Sequence, residues 1–87
     1  MITVTILSYK TPQRYAVKRT VMAAQSELQK KYPDLEIAIR EIKKLDDIEK
    51  VTQVLILPSL MINDKLVCIG RFPKKDEVIN WLQEAIP

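Results

Sequence analysis

Between Leu55 and Gly70 two apolar runs are joined by Asn63-Asp64, and Pro58 stands at the head of the first. Proline has no N–H for a strand ladder and is tolerated at a strand's first residue but hardly inside a central strand. Pro58 therefore opens a strand. Asn and Asp accept the positive φ that a two-residue hairpin turn demands, so the segment reads as a proline-headed β-hairpin. The Leu57-Pro58 linkage is also of the one type in which cis lies only about 0.5–1 kcal/mol above trans, which makes a cis bond accessible.

The remainder of the chain must supply partners for that hairpin. Ile2, Val4 and Ile6 alternate with Thr3, Thr5 and Leu7 in a run that suits a strand covered in part on both faces. Thr11-Pro12 is a helix start, a hydroxyl able to cap orphan N–H groups followed by a residue whose fixed φ suits the first helical position. Val17, Val21, Ala24, Leu28 and Tyr32 recur at helical spacing, and the helix is expected to stop before Pro33. Leu35, Ile37 and Ile39 alternate with Glu36, Ala38 and Arg40, which predicts a second strand from Leu35 to Ile42. Strand, crossover helix and strand make a parallel, right-handed βαβ unit. Asp46 or Asp47 is expected to cap a short helix through Gln53 with Ile48 and Val51 inward. A last helix after Pro73 buries Val78, Ile79, Leu82 and Ile86, with Asp76 and Glu77 in its first turn. The predicted order is β-α-β-α-β-β-α.

Composition narrows the chemistry. Eighty-seven residues suit one domain, 1–87, able to bury roughly 60–70% of its unfolded surface. One cysteine, Cys68, forbids an internal disulfide, and with no histidine the usual zinc, copper and haem ligand sets are missing, so no metal or cofactor is expected. A single glycine rules out a glycine-rich phosphate loop. No apolar run approaches the 18 or so residues of a membrane span, and the reading is a soluble, cytoplasmic protein without membrane contact. The net charge of +3 is interspersed along the chain, and Lys30-Lys31, Lys43-Lys44 and Lys74-Lys75 lack any accompanying RNA-module aromatic motif, which argues against nucleic acid. Trp81 beside Leu82 reads either as core or as an exposed apolar patch, and a homodimer contact is one use of such a patch.

A helix that starts directly after the first strand, and a proline that opens the third, resemble the thioredoxin fold: α/β, a four-stranded mixed sheet with helices on both faces. The likeness covers essentially the whole chain and is similar in particular to the small thioredoxin-like proteins called redox-active disulfide protein 2. Leu57-Pro58, Ile62-Asn63-Asp64-Lys65-Leu66 and Gly70-Arg71 stand in matching order. The resemblance implies that Pro58 is the family's cis-proline. It also places the family's Cys-x-x-Cys at Thr11-Pro12-Gln13-Arg14, where neither cysteine is present, so dithiol exchange does not carry over. Cys68 lies mid-strand without a basic neighbour or helix start to lower its pKa and is read as buried packing.

In such an arrangement Lys10, Thr11, Gln13, Arg14, Leu57, Pro58 and Arg71 meet at one end, with Phe72 close by. Lys10, Arg14 and Arg71, together with free N–H groups of the helix, suggest a site for a small anion or acidic peptide; three solvated surface cations are the plain alternative. Thioredoxin-like proteins also hold an extended partner segment against the residue before the cis-proline, here Leu57, and that pairing needs no cysteine. The expectation is a non-catalytic protein- or anion-binding module. The alternative is a thiol-disulfide oxidoreductase-related accessory protein of cell redox homeostasis, either using Cys68 as a lone thiol or retaining only a family likeness.

Overall fold

A computed structural model describes residues 1–51 and 56–86, Leu45 and Val51 by backbone alone. The elements run β1 (Ile2–Leu7), α1 (Thr11–Gln29), β2 (Ile37–Ile42), α2 (Leu45–Val51), β3 (Ser59–Ile62), β4 (Lys65–Ile69) and α3 (Lys75–Ala85). This is the order the sequence predicts. The strands form one mixed sheet in the order β2-β1-β3-β4. β1 pairs parallel with β2, Val4 opposite Ile39, and antiparallel with β3, Val4 opposite Ile62. β3 and β4 form the hairpin.

Alternation along β1 sends Ile2, Val4 and Ile6 to one face, where they join Val17, Val21, Ala24 and Leu28 of α1 and Val78 and Leu82 of α3 in the main core. Burying Val17, Val21 and Leu28 contributes about 1.5–3 kcal/mol each. Tyr32, Ile79, Trp81 and Ile86 are half-buried against this core, so Trp81 belongs to its margin. Leu7 and Ile48 are fully buried yet stand outside that cluster. Leu7 is on the opposite face by alternation, so the sheet is covered on its second side at this end.

Several boundaries differ from the sequence expectation. β2 begins at Ile37, because Leu35 donates its N–H to Tyr32 O at 3.0 Å and accepts from Gln29 Nε2 at 3.2 Å, closing the turn that follows α1. The end of α1 at Gln29 agrees with the expected stop before Pro33. Asp46 and Asp47 lie in the first turn of α2 and do not cap it. The expected extension of this helix to Gln53 and the inward side chain of Val51 lie outside the described residues. In the hairpin turn Asn63 has φ 55° and Asp64 does not share the positive region. Asn63 also donates its N–H to Thr3 O at 2.7 Å and accepts from Thr3 N at 3.1 Å, which fastens the hairpin tip to β1.

Candidate functional site

Three strand ends define one edge of the sheet: Leu7 is opposite Ser59, and Ser59 is opposite Ile69. The segments that leave or enter these positions, Ser8 to Arg14, Ile56 to Pro58, and Gly70 to Phe72, therefore share one end of the molecule. The Leu57–Pro58 peptide is cis. Pro58 is buried, and its carbonyl accepts the Gly70 N–H at 2.9 Å. Ser59, also buried, donates its hydroxyl to Ile56 O at 2.7 Å. Gly70 has φ 70°, and a Cβ there would collide with Ile56 Cγ2, so both the turn and the packing require glycine.

The helix start is organised by a residue that sequence reasoning passed over. Ser8 is fully buried. Its hydroxyl accepts the Lys10 N–H at 3.1 Å and donates to Gln13 Oε1 at 2.7 Å, while its carbonyl accepts Arg14 Nη1 at 3.0 Å. Thr11 is consequently the first helical residue and not the cap. Lys10 occupies the N-cap without a capping side chain. The Thr11 hydroxyl accepts Arg14 Nη2 at 3.0 Å. Thr11, Gln13 and Arg14 are thus brought together, with Ser8 at their centre.

Arg14 is only 8% exposed. It occupies the first position of the buried stripe that continues through Val17, Val21, Ala24 and Leu28. A guanidinium there needs a counter-charge, since an unpaired buried cation is costly. Glu41 supplies it: Arg14 Nε lies 3.7 Å from Glu41 Oε1, and Lys18 Nζ lies 3.5 Å from Oε2. The Arg14–Glu41 separation is ionic contact without a hydrogen bond, and Arg14 Nε is a buried donor with no hydrogen-bond partner. Glu41 continues the Ile37–Ile39 row, which alternation aims at α1. The missed signal is a matched pair of opposite charges at core-phase positions of two elements.

This corrects the expected cluster of three unpaired cations. Glu41 relieves Arg14 on the β2 edge. Arg71 follows β4, at the other edge, and forks onto Glu77 of α3, Nη1 to Oε1 at 2.8 Å and Nη2 to Oε2 at 2.6 Å. Lys10 Nζ lies over the Tyr9 ring at 5.9 Å. The two arginines face opposite flanks and already hold carboxylates of the chain. Hydrogen bonds from Arg71, and secondarily from the Lys74 N–H, hold the Glu77 carboxyl down to about 2.

The end is ringed by apolar side chains. Tyr9, Ile56 and Phe72 are each more than half exposed, one from each of the three segments, and Ile69 is exposed beside them. Leu57 is half-buried, and among the described residues no hydrogen bond engages its N–H or C=O. Cys68 is buried, with Sγ 3.4 Å from Arg71 O. Burial pushes its thiol pKa up, and the nearby Arg71 charge offsets only part of that rise. Among the described residues no helix is long and apolar enough to cross a membrane, and no group of acidic or sulfur ligands is placed to hold a metal ion.

The family model described as "Thioredoxin domain" matches residues 3–83. No curated protein matches the chain.

Proposed function

The chain belongs to the thioredoxin domain family, and on that premise we propose that it is a non-catalytic binding module, working in the cytoplasm, that holds an extended segment of a partner protein against Leu57. The observation that carries this reading is the set of exposed apolar side chains Tyr9, Ile56 and Phe72 beside Leu57, whose backbone groups have no hydrogen-bond partner among the described residues. Backbone groups supply register to an extended partner, and the surrounding apolar side chains supply area. Catalysis by dithiol exchange needs two thiols, and this chain has one, buried and raised in pKa. A lone buried thiol also suits a reducing compartment.

The test is affinity capture from the native cell with the intact protein and with Phe72→Asp and Ile56→Asp as controls. The expected result is a partner lost with both substitutions. A partner retained by both removes the proposed surface. Insulin-disulfide reduction separates the redox alternative: the expected rate equals that of the buffer, and activity lost on Cys68→Ser favours a redox role.

A further inference from the structure

A second surface starts at Thr11 and Arg14 and runs from that end along the flank where α1 lies beside β2. There a groove of about 650 Å³ opens between the exposed side of α1 and the end of β2. Its walls carry Arg14, Lys18, Arg19 and Lys43 against one acid, Glu41. Four cations against one acid leave a local excess of three positive charges, a sign that attracts an anionic partner.

Glu41 is divided between two cations, at 3.7 Å from Arg14 Nε and 3.5 Å from Lys18 Nζ. Arg14 Nε remains a buried donor without a hydrogen bond. Arg19 and Lys43 are exposed and have no ion-pair partner among the described residues. Apolar surface frames these charges. Tyr15 and Met22, two turns apart on α1 and on the same side as Lys18 and Arg19, are each more than half exposed. Among the described residues no strand pairs with the outer edge of β2, whose backbone groups are open to an added strand.

The geometry points to an acidic, extended segment of a partner protein as the occupant: carboxylates over Lys18, Arg19 and Lys43, intervening apolar side chains against Tyr15 and Met22, and the backbone along β2. Charge complementarity selects an acidic sequence, the Tyr15 and Met22 flanks select alternating apolar residues, and the open strand edge selects an extended conformation. Tyr9, Ile56, Leu57 and Phe72 do not line this groove.

The test is an NMR titration of the isotope-labelled full chain with a synthetic alternating valine–glutamate hexapeptide at low salt. Shifts are expected at Tyr15, Lys18, Arg19, Met22 and residues 38–43, with affinity falling about tenfold or more in Arg19→Glu/Lys43→Glu. Both of those side chains are exposed, so the double variant tests charge without disturbing the core. Phe72→Asp is expected to bind the hexapeptide unchanged, which separates this surface from the Leu57 ring. The inference is overturned by an absence of shifts, by equal binding of the valine–lysine counterpart, or by inorganic phosphate reproducing the same shifts at the same concentration. A dimer in sedimentation that Arg19→Glu/Lys43→Glu converts to monomer, with no hexapeptide binding, overturns it in favour of a second copy.

Discussion

Arg14 and Glu41 form an ion pair across the α1–β2 seam at 3.7 Å, with side chains 10% and 26% exposed. Each sits where its element would otherwise place an apolar residue against the core. Removing the carboxylate leaves the guanidinium buried with Ser8 O and the Thr11 hydroxyl as its acceptors. Glu41→Leu is expected to destabilise the fold by about 1–3 kcal/mol, below the range for fully buried pairs because water reaches Glu41. Arg14→Met/Glu41→Leu together is expected to fall within about 1 kcal/mol of the parent. Urea denaturation of the three proteins measures both values, and a Glu41→Leu variant as stable as the parent sinks the account.

The Arg71–Glu77 fork makes stability depend on pH in the acid range. The Glu77 carboxyl is lowered from 4.5 to about 2 in the folded chain. A depressed carboxylate stabilises the native state above its unfolded pKa, and that contribution is lost as pH falls from about 4.5 toward 2. Glu77→Gln is expected to flatten the stability profile over that window. In Arg71→Ala, carboxyl NMR is expected to show Glu77 titrating nearer its ordinary value; an unmoved Glu77 in that variant refutes the assignment of cause.

Cys68 is expected to react slowly with aromatic disulfide reagents at neutral pH and rapidly once the chain is unfolded, because burial keeps the thiol protonated and covered. Its raised pKa carries the opposite sign from Glu77. The native state binds the thiol proton more tightly, so that contribution to stability is present below the unfolded value near 9 and declines as pH rises through the folded one. Native-state labelling as fast as that of the unfolded chain contradicts the burial.

Gly70→Ala combines two costs, a positive φ and a collision with Ile56. The expected destabilisation is about 1–2 kcal/mol for the backbone alone, with more from the contact. Adding Ile56→Ala is expected to recover only the contact part. Full recovery in the double variant shows that φ carries no penalty at this position.

Strand and helix periodicities were legible in the residues. Val4, Val17, Val21, Val78 and Leu82 announce their burial by spacing alone, and Asn63 announces its turn by its tolerance of positive φ. The candidate site was legible only in outline. Ser8, Lys10 and Gln13 settle the helix start through hydrogen bonds between a loop hydroxyl and positions two and five residues on, and no local propensity distinguishes that pattern from a Thr11 cap. Arg14 and Arg71 read as free cations because their partners, Glu41 and Glu77, come from other elements. Pairing of that kind depends on tertiary placement. The exposed ring of Tyr9, Ile56 and Phe72 was hidden for the same reason: three isolated apolar residues become one surface only when Leu7, Ser59 and Ile69 align.

Val4 meets Ile39 on one side and Ile62 on the other. β1 therefore draws its two neighbours from distant parts of the chain, β3 from farther along than β2. Until Ile62 has been synthesised, one flank of a β-branched, aggregation-prone segment has no native neighbour, and such non-local closure is slow. Until the hairpin forms, the Val4 face of β1 has the apolar stripe of α1 as its cover.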